Sequence, residues 1–231
     1  MVDQKNWFTE QLAESGTAFS LKITEKLHEE QSAFQHIEIY KTEKFGNLMV
    51  IDGCIMLSSR DNFIYHEMMS HPVLFSHPDP KNVWIIGGGD CGTLKEVLKH
   101  ESVERVVQID IDERVTRLSE KYFPDLCSSN HDPRADLKFI DGIRWVKDAP
   151  PGSVDIIIVD STDPVCPAEG LFTEDFFRDC FNCLSEQGIV VQQSESPLLH
   201  MKILADMHQA MKSAGFIDTG TLFFPQCITE V

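Results

Sequence analysis

From Val83 onward the chain alternates two kinds of segment, and no other feature of it restricts the fold as strongly. Short apolar runs at Val83–Ile86, Arg105–Asp110, Leu137–Ile140, Val154–Val159, Ile189–Gln193 and Thr221–Phe224 read as strands. The stretches between them, Thr93–His100, Asp112–Tyr122, Ile143–Asp148, Thr173–Ser185 and His200–Ala214, read as helices. Near-continuous apolar strands alternating with helices imply a parallel sheet covered on both faces. Local signals agree. Thr173 followed by Glu174 and Asp175 is a good helix start, and Gly188 and Gly215 lie where C-terminal caps belong. The apolar positions Ile203, Met207 and Met211 form a core stripe. In such sheets ligands bind at the carboxyl ends of the strands.

The preceding segment has a different period. Residues from about Phe19 to Leu57 favour period two, with Phe34, Ile37, Ile39 and Lys41 as strand positions in FQHIEIYKT. Asp52-Gly53 between apolar runs signals a hairpin. Arg60–Phe75 reads as a helix that Asp61 or Asn62 caps, that turns Phe63, Met68 and Met69 to a core, and that Pro72 bends or ends. The loop SHPDPKN follows. The expected division is therefore a small antiparallel β domain with a connecting helix over 1–75 and an α/β parallel-sheet domain over 76–231.

Composition narrows the function. A formal net charge of −17 argues against nucleic acid as a partner, because neutralising phosphates needs clustered Lys and Arg. No apolar run is long enough to span a bilayer, and MVDQKNWFTEQ lacks the apolar region of a signal peptide. Seven scattered cysteines read as free thiols in a cytoplasmic protein. Cys180 and Cys183 are expected in a helix core, and no metal site is expected. His66 and His71 are five apart, so they point about 140° away from each other around a helix and do not share a metal.

The strand ends carry the chemistry. The first leads into GGGDCG, residues 87–92, a loop of the kind that brings backbone close to a nucleotide. Its Asp90 would repel a pyrophosphate. The second strand ends at Asp110, where an acid commonly holds ribose hydroxyls. The third ends in Asp141-Gly142, placed to meet an adenine. The fourth ends in Asp160-Ser161-Thr162-Asp163-Pro164 and the fifth in Gln192-Gln193-Ser194-Glu195. Acids that merely cap helices act singly, as expected of Asp112 and Asp175. A convergent set of carboxylates implies a cation. The expected ligand has a nucleoside and a positive charge but no phosphate.

GGGDCG, QIDID, IDG, DSTDPVCPAEGLFTEDFF and, upstream, IDGCIMLSSRDNFIYHEMMSHP resemble the polyamine aminopropyltransferases over nearly the whole chain. The resemblance implies a Rossmann-like, methyltransferase-type sheet domain. It implies transfer of an aminopropyl group from decarboxylated S-adenosylmethionine to putrescine, giving spermidine and methylthioadenosine with no metal or other cofactor. It further implies Asp160 as general base, with Tyr65, Ser161, Thr162, Asp163 and Gln193 on the diamine side. Gln35, His66, Gly87, Gly89, Asp90, Asp110, Asp141, Gly142 and Pro167 fall on the donor side. Asp90 then meets the amine of the aminopropyl chain and repels the carboxylate of ordinary S-adenosylmethionine. A homodimer or homotetramer is implied as well.

On pattern alone, Tyr65 is a core tyrosine and Gln35 an exposed strand residue. The sequence departs from the family at Cys91 and Cys166, where glycine is usual. The family continues with a Tyr-Pro-Ser/Thr-Gly stretch and a last strand. Here FFPQCITEV ends at Val231 with Thr229 near the tyrosine's place, so the expectation is either a shortened C-terminus or further residues outside this sequence. Three rivals remain: an S-adenosylmethionine-dependent methyltransferase, a dinucleotide oxidoreductase, and a non-catalytic polyamine- or nucleoside-binding homologue.

Overall fold

The computed structural model describes residues 6–12, 16–162, 168–194, 196–197 and 199–224. Five antiparallel strands come first: β1 (Trp7–Leu12), β2 (Thr17–Gln31), β3 (His36–Thr42), β4 (Asn47–Ile51) and β5 (Cys54–Ser58), paired in chain order. The Asp52-Gly53 hairpin forms as expected. Both residues have positive φ, 50° and 88°, the geometry whose twist suits a two-residue hairpin. Alternation gives the sheet two apolar faces. Leu21, Tyr40, Leu48, Val50 and Ile55 form one cluster, and Ile37, Ile39, Met49, Ile51 and Leu57 form another. Phe34 is not a strand residue; it sits in the β2–β3 turn and is 46% exposed.

Helix α1 (Asn62–Ser76) connects the two sheets. Asp61 stands at its N-cap, but its side chain accepts from Ser58 Oγ at 2.6 Å and makes no capping bond. Pro72 does not end the helix, which runs one further turn to Ser76. Ser76 Oγ donates to the Pro72 carbonyl at 2.7 Å across that turn. Met69 is buried as expected, whereas Phe63 faces outward, 52% exposed. Met69, Val73 and Leu74 pack in one cluster with Val83 and Ile85 of the second sheet. Helix α1 thus leads out of the first sheet and packs on the second.

The second sheet is parallel, in the order β10-β9-β6-β7-β8. Its strands are β6 (Asn82–Gly87), β7 (Arg105–Asp110), β8 (Ala135–Phe139), β9 (Val154–Asp160) and β10 (Leu184–Gln192). Helices α2 (Gly92–Val97), α3 (Glu113–Tyr122), α4 (Gly142–Lys147), α5 (Glu174–Cys183) and α6 (Met201–Ala214) join or follow them. Side chains from α4, α5 and α6 cover one face; α1 and α2 cover the other. Phe176, Phe177, Cys180 and Cys183 are all buried on α5, so the C-x-x-C pair is core. On α6 the core stripe is Leu204, Met207, Met211 and Ala214, with Ile203 only half-buried. Val115 and Leu118 of α3 pack against the N-terminal sheet, in one cluster with Ile37, Ile39, Met49 and Ile51. That contact joins the two units.

Two expectations fail at the far edge. Gly188 caps no helix; it lies within β10, where the register with β9 shifts between Leu184 and Ile189. Gly215 does end α6, with φ at 119°. Thr221–Phe224 is not a strand: it enters no ladder among the described residues, and apolar character alone does not make one. With Met207, Met211 and Val191 these residues line a groove beside β10.

Candidate active site

The cleft opens at the carboxyl end of β6, where the connections leave to opposite sides. There the chain turns sharply into the glycine loop. Gly87 has φ at 87°, and a Cβ there would lie 2.0 Å from the Asp160 carbonyl. That carbonyl accepts the Gly88 N–H at 2.7 Å, which ties β9 to the loop. Gly92 opens α2 directly against the His66 ring, which a Cβ would strike at 2.2 Å. Glycine is thus needed at both ends of the loop for close approach. A Cβ at Gly89 would lie 2.7 Å from Asp110 Oδ2.

Cys91 adopts the left-handed conformation, φ 69°, which ordinarily favours glycine. Its side chain is fully buried and accepts from Gln108 Nε2 at 3.5 Å. The hydrogen-bonded Cys91 sulfur beside Cys127, together with burial, pushes the Cys127 thiol pKa well up.

Three acids meet in this cleft. Asp90 Oδ1 accepts the Gly92 N–H at 2.6 Å, and Oδ2 lies 3.2 Å from His66 Nε2. Burial pushes the Asp90 carboxyl up, but the His66 ring outweighs it and holds the pKa below the usual carboxylate value. Burial likewise opposes the charged form of His66. The negative charges of Asp90, Asp160 and Glu96 prevail and raise its pKa. Asp110 ends β7 and accepts the Asp112 N–H at 2.7 Å. Burial, aided by the charges of Asp112 and Asp160, lifts its pKa from 3.8 to about 6. Asp160 ends β9. Its Oδ1 accepts the Tyr65 hydroxyl and its Oδ2 the Thr93 hydroxyl, each at 2.6 Å. Burial and the nearby Asp90 push its pKa up, against His66 and the two hydroxyls. Among the described residues, His66 is the one basic side chain bonded to any of the three.

The surrounding residues take these places. Asp141 caps α4, accepting from the Ile143 N–H at 2.9 Å, and a Cβ on Gly142 would lie 2.6 Å from Ile86 Cγ2. Gln193 is buried just past β10, its N–H donating to the Val159 carbonyl at 2.9 Å. Ser161 Oγ donates to the Thr162 carbonyl at 3.1 Å. Gln35 Nε2 donates to Asp112 Oδ2 at 3.0 Å and Ser32 Oγ to the same oxygen at 2.6 Å. The β2–β3 turn is thereby tied to the residue two places beyond Asp110. Asp163, Cys166, Pro167 and Thr229 lie outside the described residues. His71 points away from His66 and bonds His100 Nε2 at 2.9 Å. Among the described residues, one group, Glu29, His36 and Glu38, has the spacing to hold a metal. It lies on the N-terminal sheet, where Lys26 already pairs with both glutamates.

Two features of the site escape the sequence. Asp112 caps α3 as expected but also receives the β2–β3 turn. Thr93 reaches Asp160 across 67 residues. A threonine in a first helical turn gives no signal of such a partner.

Residues 62–228 match the spermine/spermidine synthase domain family, and residues 6–59 match the spermidine synthase tetramerisation domain family. A polyamine aminopropyltransferase of Methylococcus capsulatus is 69% identical over 228 residues, covering 99% of this chain and 80% of the relative. One from Thioalkalivibrio sulfidiphilus is 68% identical over 222 residues, covering 96% and 78%. Among solved structures, a spermidine synthase in complex with the transition state analogue AdoDATO superposes with a TM-score of 0.87 at 34% identity, covering 91% of this chain and 72% of that one. A spermidine synthase from Thermotoga maritima gives 0.85 at 34% identity, covering 91% and 71%. No helix among the described residues is long and apolar enough to cross a membrane.

Proposed function

The chain belongs to the spermine/spermidine synthase family, the polyamine aminopropyltransferases, and on that premise we propose that its cleft works as a spermidine synthase. The group moved is an aminopropyl chain, not a methyl. The donor is decarboxylated S-adenosylmethionine and the acceptor putrescine. The amine nitrogen attacks the carbon next to the sulfonium; a C–N bond forms, the C–S bond breaks, and its electron pair stays on sulfur as methylthioadenosine. The sulfonium is itself the leaving group, so the reading requires no metal or redox cofactor. The protein must orient two cations and remove a proton from an alkylamine.

The observation that carries this reading is the meeting of Asp90, Asp110 and Asp160 at one crevice. Asp160 takes the amine proton; burial and the nearby Asp90 raise its pKa, which strengthens it as a base. Tyr65, Gln193, Ser161, Thr162 and Asp163 belong to the diamine side. Asp110 receives the ribose hydroxyls, Asp141 and Gly142 the adenine, and Gly87, Gly89 and Pro167 frame the nucleoside. Gln35 and His66 complete the donor side, the former next to Asp110 through Asp112. Asp90 faces the donor's amine. The tetramerisation-family match supports a homo-oligomer, and the buried thiols suit the cytoplasm.

The test is release of methylthioadenosine by the full-length protein supplied with both substrates; no release sinks the proposal. Asp160→Asn should lower kcat by a factor of about 10² or more while donor affinity in calorimetry stays within a few-fold. Calorimetry should also show preference for the decarboxylated donor over S-adenosylmethionine, and Asp90→Asn should narrow that gap.

A further inference from the structure

We propose that Thr93 is a positioning residue for the base, its hydroxyl fixing the Asp160 carboxylate in its working orientation and keeping it ionised. The inference rests on Asp160 being the base.

Thr93 is fully buried, one residue into α2, and its Oγ1 donates to Asp160 Oδ2 at 2.6 Å. A helical threonine ordinarily returns its hydroxyl to the carbonyl one turn back. Here that carbonyl belongs to Gly89, and it already accepts Thr116 Oγ1 at 2.8 Å. The Thr93 hydroxyl is turned across to the end of β9 instead. Tyr65 approaches the other oxygen from α1, also at 2.6 Å, so two hydroxyls from two helices hold the two carboxylate oxygens. Each oxygen has two lone pairs, which leaves one on each for an amine proton.

The surroundings make this donor matter. Asp160 shares its cleft with Asp90 from the glycine loop and Asp110 from β7, both of which oppose a further negative charge. His66 and Tyr65 face it from α1, Glu96 of α2 acts on His66, and β10 brings the uncharged Gln193. Asp163 and Glu195 lie outside the described residues. In so acidic and dry a place, a carboxylate that loses a charge-stabilising donor becomes protonated at higher pH.

The experiment is the pH dependence of kcat/KM for putrescine, measured on full-length protein carrying Thr93→Val, Thr93→Ala or Thr93→Ser, with Asp160→Asn alongside. Removing the hydroxyl should move the acid limb up by roughly one to two pH units. On the acid limb activity should fall about tenfold or more and recover as pH rises, with donor KM within about twofold of the parent. Thr93→Ser should keep the parental limb. Thr93→Ala places no methyl against the carboxylate and carries the test if the valine variant does not fold. A parental acid limb in the hydroxyl-free variants overturns the proposal. So does a pH-independent loss shared by Thr93→Ser. If Asp160→Asn keeps parental turnover and limb, the base assignment itself falls, and Thr93's role falls with it.

Discussion

Asp110 shows what a buried carboxyl costs a fold. Its folded-state pKa, about 6, is above the unfolded value of 3.8. A group shifted upward contributes stability that is fully present below the unfolded pKa and is lost as pH rises through the folded one. Ionising this acid in the folded state therefore removes on the order of 3 kcal/mol between about pH 4 and pH 6. Asp110→Asn should melt higher than the parent at pH 7, show little advantage at pH 4, and bind the donor poorly; paired melting curves at the two pH values check this. The three cleft acids are legible in the sequence because each ends or follows an apolar run, and strand ends are where such sheets bind ligands. Thr93 is not legible. Its partner lies 67 residues away at the end of another strand, and only the folded chain shows that. Cys91 reads as a departure from glycine, and the structure supplies a buried place against Gln108 for its side chain.

At the scale of elements, the β2–β3 turn does more than reverse the chain. Ser32 and Gln35 both bond Asp112, which caps α3 and donates its N–H to Asp110. Ser32→Ala should cost about 1 kcal/mol, a fall of about 2–4 °C in Tm for a chain of this size, and should raise KM for the donor more than for putrescine. Thermal melts and two-substrate kinetics read both effects. Strands β3 to β10 and all six helices are visible as periodicity, with ends shifted by a few residues. Of the two courses open to Pro72, to bend or to end the helix, it does not take the second, and Ser76 ties the last turn. Two misreadings have physical causes. Gly188 serves a strand irregularity, which looks like a helix cap in a linear pattern. Thr221–Phe224 has the apolar character of a strand but pairs with none of the described strands, and pairing is a property of the fold.

For the whole molecule, the two units are joined by an apolar contact. Leu118 of α3 is almost fully buried in the cluster that unites the N-terminal sheet with α3. Leu118→Ala should destabilise by about 2–5 kcal/mol. Its effect on turnover should fall mainly on donor binding, because α3 follows Asp110 directly; chemical denaturation and donor titration measure the two. Order along the parallel sheet has one more result. Because β6 is central, the groups read as holding the nucleoside, Asp110 and Asp141, follow β7 and β8, whereas Asp160 and Gln193 end β9 and β10 on the other side. The central strand is a watershed: on the proposed function each substrate would have its own flank, and the two would meet only above the glycine loop. Acceptor preference would then be free to drift by substitutions along the β9–β10 flank while the donor flank stays unchanged, so one scaffold could serve amines of several lengths without relearning its nucleoside.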